Sequence, residues 1–209
     1  SLIYSYLRSK GINASVVDMG DDSVVIMESS DLCVFLEGLE EWFLSMGLHM
    51  KAEDPVYVLE EIEFCQCHPL FDGEHWIMVR RFPRAWSKDC VSLVPLTSER
   101  AFKRWSTAVG LGGLSWLGGV PVYDSFYRSL LFDIKPMEHP TLVGDKYWRA
   151  GMNRKDRKIT PDVRASFYRA FGVTPEEQIA LESQIKPPRW SSPVPRRESF
   201  GFHSYFNFN

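Results

Sequence analysis

Asp21 and Asp22 stand side by side behind Gly20. Adjacent carboxylates repel, and divalent cations relieve that repulsion. Mg²⁺ takes hard oxygen ligands, commonly one or two carboxylates plus substrate phosphates. Two such ions about 3.5–4 Å apart clamp the attacking and leaving oxygens of an in-line phosphoryl displacement. Taken alone, the three letters favour an ordinary polar turn. The flanks favour the chemical reading: Ser15-Val16-Val17-Asp18-Met19 and Ser23-Val24-Val25-Ile26-Met27 are β-branched runs on either side of Gly20-Asp21-Asp22. The segment therefore predicts a hairpin whose short turn carries both carboxylates, its apolar strands suited to burial in a sheet.

Further elements must position that tip. Residues 2–9 predict a helix ended by Gly11. Leu32, Leu36, Leu39, Phe43 and Met46 recur at helical steps, with Ser30 or Asp31 as N-cap, Gly47 past the end, and Glu37, Glu40 and Glu41 on the opposite face. That pattern predicts one amphipathic helix packed on the sheet. Ile62-Glu63-Phe64-Cys65-Gln66 and His75-Trp76-Ile77-Met78-Val79 flank Asp72-Gly73 and predict a second hairpin. After Pro95 the pattern is helical. Thr160-Pro161 and Thr174-Pro175 each place an N-cap before Pro at the first helical position. Glu177 completes a capping box with Thr174, Gly172 separates the two helices, and Pro187-Pro188 stops the last.

An apolar fraction of 44% across 209 residues excludes a mainly disordered chain. The chain begins with Ser1 and carries no signal-peptide pattern, so a piece of something longer is expected. The uncharged stretch Ser106–Tyr123 holds five glycines, which argues against a membrane span and for tight turns and close packing. The overall charge of -3 is unevenly spread: residues 1–63 carry 13 acidic and 3 basic side chains, and the remainder 14 acidic and 21 basic. Residues 146–169 concentrate eight Lys/Arg (among them Arg154, Arg157, Arg164 and Arg169) against Asp156 and Asp162. Such a face suits contact with nucleic-acid phosphates, with affinity that falls as salt rises.

Several strings together resemble the viral RNA-dependent RNA polymerases, and the tombusvirus-like group (tombus- and carmovirus relatives) in particular. Gly20-Asp21-Asp22 is similar to the third palm motif; Met46-Gly47-Leu48-His49-Met50-Lys51 and Glu61-Ile62-Glu63-Phe64-Cys65-Gln66 are similar to the fourth and fifth. Gly118-Gly119-Val120-Pro121-Val122 with Phe126-Tyr127, and the run Arg164–Gly172, resemble the thumb. The resemblance implies an α+β fold, part of a right-hand polymerase: a palm antiparallel sheet with packed helices, then a mainly helical thumb. The expected segments are a partial palm at 1–93 (catalytic hairpin, amphipathic helix, primer-grip hairpin), a helical thumb at 94–186 and an extended tail at 187–209.

It further implies template-directed nucleotidyl transfer in viral RNA replication by a two-metal mechanism, with Mg²⁺ or alternatively Mn²⁺ held by Asp21 and Asp22. Lys51 falls where the family places a general acid for the pyrophosphate leaving group. Phe64, Cys65 and Gln66 fall where it grips the primer or nascent strand, and Arg80, Arg81 and Arg84 follow as candidate phosphate contacts. The implied partners are RNA template and nascent strand, ribonucleoside triphosphates, and an upstream palm and fingers. The implied setting is the host cytoplasm, in membrane-associated replication complexes. The paired-Asp and ribose-selecting motifs do not precede Asp21 in this sequence, so the 209 residues alone are expected to be inactive. The alternatives are a non-catalytic RNA-binding module and, third, a two-metal nuclease. Cys65, Cys67 and His68, with Cys90, make a poor zinc set, because Cys-x-Cys-His departs from the usual paired spacing.

Overall fold

The computed structural model describes residues 2–138 and 152–191. Their fold is α+β, with two small two-stranded antiparallel sheets and several helices. The chain divides into two compact units, Ser1–His68 and Pro69–Asn209. The expected segments followed element type. Packing instead groups the second hairpin with the helices after it. The tail from 192 onward lies outside the described residues.

In the first unit, helix α1 (Leu2–Lys10) buries Ile3, Tyr6 and Leu7, a spacing that puts them on one helical face. Strands β1 (Ala14–Met19) and β2 (Asp22–Met27) follow, paired from Ala14↔Met27 to Met19↔Asp22. The turn is therefore Gly20-Asp21, one residue shorter than expected, and Asp22 opens the second strand. Gly20 has φ +69°, which a glycine adopts without the Cβ clash any other residue meets at that point of a tight hairpin. Ala14, Val16, Val25 and Met27 share the face that packs on the helical core. The opposite face leaves Val17, Met19 and Ile26 exposed. Apolar residues on both faces predicted burial on both, and the described residues cover one.

The expected single amphipathic helix is two. Helix α2 (Leu32–Leu36) and helix α3 (Leu39–Leu44) are separated at Glu37-Gly38, where Gly38 is left-handed. The break shifts the buried stripe to Phe35, Leu39 and Phe43, and leaves Leu36 and Met46 exposed. It also frees backbone carbonyls, and the Tyr6 hydroxyl meets two of them, those of Phe35 and Glu37, at 2.8 Å each. One shared proton thus ties α1 to the break, where an unmatched buried carbonyl would be costly.

Residues 62–66 do not form the predicted strand. A 3₁₀ turn, Leu59–Glu61, leads into a tight reversal at Cys65-Gln66, and strand β3 starts only at Cys67 (Cys67–Phe71). It runs into the second unit and makes the expected Asp72-Gly73 hairpin with β4 (Trp76–Arg80). Helices α4 (Phe82–Asp89), α5 (Glu99–Leu117), α6 (Tyr123–Ser129), α7 (Pro161–Phe171) and α8 (Pro175–Gln184) complete this unit. Leu70 and Val79 of the hairpin join Leu114, Tyr123, Tyr127 and Phe167 in its core. In the 106–123 stretch a Cβ on Gly110, Gly113, Gly118 or Gly119 would collide with a neighbour, whereas Gly112 faces open space; Gly110, Gly112 and Gly113 lie inside α5 and not in turns. A Cβ on Gly113 would collide with the Tyr127 ring. Among the described residues no helix is long and apolar enough to cross a membrane.

Polar ties fix the second hairpin to its helices. The Phe71 N–H donates to Ser166 Oγ at 2.8 Å, and the Tyr123 hydroxyl donates to the Arg80 carbonyl. Asp72 Oδ1 accepts from the N–H groups of Glu74 and His75, closing the turn, while Oδ2 accepts from buried Arg154 at 2.5 Å. Burial by itself pushes the Asp72 carboxyl up, but the His75 N–H, the Arg154 guanidinium and the Glu74 N–H more than reverse this and hold it down at about 2.

A depressed folded value means that Asp72 adds stability above its ordinary value of 3.8, and that this is lost as pH falls toward about 2. The gap corresponds to roughly 2 kcal/mol. Denaturant unfolding between pH 5 and 2 should show that loss, and Asp72→Asn should remove it; an unchanged pH slope in the variant contradicts the assignment. The capping box at α8 is present: Thr174 Oγ1 accepts from the Glu177 N–H, and Glu177 accepts from the Thr174 N–H. Thr174→Ala should cost about 1 kcal/mol in the same assay.

Candidate functional site

The first unit brings together two of the segments singled out in the sequence. Asp21 and Asp22 are exposed at the tip of the β1–β2 hairpin. Forty-three positions further on, the Cys65 N–H donates to Asp22 Oδ2 at 3.0 Å, and Cys65 Sγ lies 3.8 Å from Met19 Sδ. Met19 and Asp22 are partners in the strand register, so the Cys65 turn touches both sides of the hairpin end. No hydrogen bond or ion pair engages the Asp21 side chain among the described residues.

The turn that supplies this contact has unusual backbone geometry. Phe64 and Cys67 exchange two backbone hydrogen bonds of 2.9 Å around Cys65 and Gln66. Both central residues have positive φ, +51° and +62°, as in the two-residue hairpin turns that ordinarily use Asn-Gly or Gly-Gly. Non-glycine residues held there cost on the order of 1–3 kcal/mol each and persist where surroundings over-determine them. Desolvation, then the negative charges of Asp22 and Asp21, push the Cys65 thiol above its ordinary value. The thiol is therefore a protonated neighbour of the carboxylates at neutral pH.

The remaining candidates are placed separately. Lys51 is exposed in an irregular stretch after Met50, which packs against the first unit's core. No ion pair to Lys51 is present among the described residues. Arg80 ends β4, Arg81 is the residue before α4, and Arg84 lies exposed in its first turn. All three belong to the second unit. His68 is buried, with Nδ1 at 3.1 Å from the Glu60 carbonyl and Nε2 at 3.6 Å from Glu63. Burial, then Asp89, pushes the Cys90 thiol up to about 11, opposite to the thiolate that zinc requires. Among the described residues no three His, Cys, Asp or Glu side chains converge on one metal position.

Three arginines of the basic stretch are paired within the chain. Lys146 and Arg149 lie outside the described residues. Arg154 is buried against Asp72, Arg157 pairs with Glu74 at 2.5 Å, and Arg164 meets Glu182 through both terminal nitrogens. These guanidiniums are committed to carboxylates of the same chain. A local count of charges could not reveal acids that stand up to 83 positions away. Arg154→Ala should therefore lower the unfolding free energy by about 3 kcal/mol, because it strands a buried carboxylate. Arg157→Ala, at an exposed pair, should stay within about 1 kcal/mol. Equal effects in denaturant unfolding would contradict this division.

Comparison with known proteins places the chain. The family model for viral RNA dependent RNA polymerase matches residues 1–192. The RNA-directed RNA polymerase of Oat chlorotic stunt virus (isolate United Kingdom) is 42% identical over 200 residues, covering 88% of this chain and 27% of that protein. That of Tobacco necrosis virus (strain A) is 38% identical over 188 residues, covering 87% and 26%. That of Tomato bushy stunt virus (strain Cherry) is 39% identical over 211 residues, covering 97% and 25%. The chain thus spans about a quarter of the length of these relatives. No solved structure matches it.

Proposed function

The chain belongs to the viral RNA-dependent RNA polymerase family, and on that premise we propose that it is a palm-and-thumb portion of an RNA-directed RNA polymerase. Residues 1–93 correspond to palm, and the helical stretch 94–186 to thumb. The observation that carries the reading is the hydrogen bond from Cys65 to Asp22. Two strings that separately resemble the catalytic and nascent-strand motifs meet in space, although 43 residues lie between them.

The carboxylates fit a hard divalent ion. Among the described residues no hydrogen bond engages the Asp21 side chain, and Asp22 Oδ2 accepts from the Cys65 N–H. Oxygen donors of this kind suit Mg²⁺ or Mn²⁺, but two adjacent ones cannot enclose two ions. The set is therefore partial, and further ligands come from upstream palm segments. When bound, the ions supply electrostatic stabilisation of the attacking 3′-oxygen and the triphosphate.

Asp21 anchors that charge at the hairpin tip. Lys51, exposed and unpaired among the described residues, acts as proton donor to the pyrophosphate oxygen as the bond to it breaks. Phe64, Cys65 and Gln66 bear on the nascent strand, and Arg80, Arg81 and Arg84 meet phosphates. The substrates are an RNA template with its nascent strand and ribonucleoside triphosphates. The setting is a replication complex in the host cytoplasm, associated with membrane. Arg154, Arg157 and Arg164 are paired within the chain, which leaves fewer arginines of the basic half for a purely RNA-binding module.

The test is incorporation of labelled nucleotide on an RNA template. Residues 1–209 alone should incorporate none. In a full-length polymerase carrying this segment, Asp21→Asn should abolish synthesis, since it swaps a charged ligand for a neutral one of nearly the same shape. Asp22→Asn should do less damage. Full activity of the Asp21→Asn enzyme would contradict the assignment.

A further inference from the structure

The Cys65-Gln66 reversal poses a physical question. Two consecutive left-handed residues, neither of them glycine, are held in a turn that Asn-Gly or Gly-Gly would occupy without strain. A conformation of that kind persists only if something outside the turn pins it. The hydrogen bond that reaches it from a distant segment is the one to Asp22 Oδ2, with the Met19 and Cys65 sulfur atoms in contact beside it.

We propose that Asp22 is a positioning residue, and that the left-handed turn serves to present the Cys65 N–H to its carboxylate. The bond joins the end of the catalytic hairpin to the nascent-strand loop, so the two move as one piece. It fixes the rotamer of Asp22, and leaves Asp21 as the carboxylate directed at the ions. The two neighbours divide the work: Asp21 supplies charge, and Asp22 supplies an acceptor for a backbone donor. A second consequence concerns the loop. Whatever displaces Phe64–Gln66 along the nascent strand also tilts the hairpin that carries Asp21. The assignment of roles rests on the polymerase reading above, whereas the latch itself rests on backbone geometry.

The two can fail separately. In a full-length polymerase carrying this segment, hydrogen–deuterium exchange of peptides spanning residues 62–68 reads the latch, and RNA synthesis reads the function. Asp22→Asn retains an acceptor oxygen, so exchange should stay slow and synthesis should be at least about tenfold above that of Asp22→Ala, a factor worth 1.4 kcal/mol. In Asp22→Ala the turn should open and exchange should rise about tenfold. Gln66→Gly, which suits the left-handed backbone, should then return part of the slow exchange and part of the synthesis in the Asp22→Ala background.

Identical exchange in the wild type, Asp22→Asn and Asp22→Ala would overturn the latch. So would an Asp22→Ala enzyme that Gln66→Gly fails to rescue, because a missing metal ligand is not restored by relaxing a turn. If Asp21→Asn leaves synthesis intact while exchange follows the pattern above, the latch stands and the polymerase reading falls.

Discussion

Like charges at adjacent positions repel, and Asp21 and Asp22 are held at the end of a two-stranded hairpin in spite of that. A hairpin end is by nature the loosest part of a small sheet. Here three constraints act on it at once. Gly20 takes the left-handed conformation that lets the chain reverse in two residues. The register sets Met19 opposite Asp22. The Cys65 N–H then engages one Asp22 oxygen. Behind the tip, Val16, Val25 and Met27 lock the strands onto α1, α2 and α3. Of the two carboxylates it is thus Asp22 that the fold anchors directly.

The second unit is organised around a different electrostatic solution. Asp72 and Arg154 are both buried, and burying charge is costly unless it is matched. The match is complete on the carboxylate side: two backbone N–H groups on one oxygen and a guanidinium on the other. Arg164 does comparable work between α7 and α8, where Glu182 also accepts from the Val122 N–H just before α6. Arginines that a sequence presents as a basic patch thus serve as internal ties. Arg84 and Lys155 by contrast lie exposed.

What was legible in the sequence is what short-range physics determines. The first hairpin, the Thr174-Glu177 capping box, the Thr160 cap and the Asp72-Gly73 hairpin each have a local signature, and each is present. The reversal at Cys65-Gln66 has none. β-branched and aromatic neighbours suggested a strand there, and no glycine marked the turn, because the stabilising contact comes from residue 22. The break at Gly38 was hidden for a related reason: apolar spacing continued through it, while Tyr6 supplied the hydroxyl that makes the break tolerable. Partners of Arg154 and Arg157 were equally out of view, being 82 and 83 positions distant.

The central claim is that Asp21 faces a catalytic divalent ion. Ferrous ion can stand in for Mg²⁺ at oxygen-ligand sites and, with ascorbate and peroxide, cuts the backbone beside the place where it binds. The measurement is to map those cuts in a full-length polymerase carrying this segment. The account predicts cleavage within residues 20–22, suppressed by excess Mg²⁺ and lost in Asp21→Asn. Absence of cleavage at the hairpin, or cleavage that persists unchanged in Asp21→Asn, would contradict it.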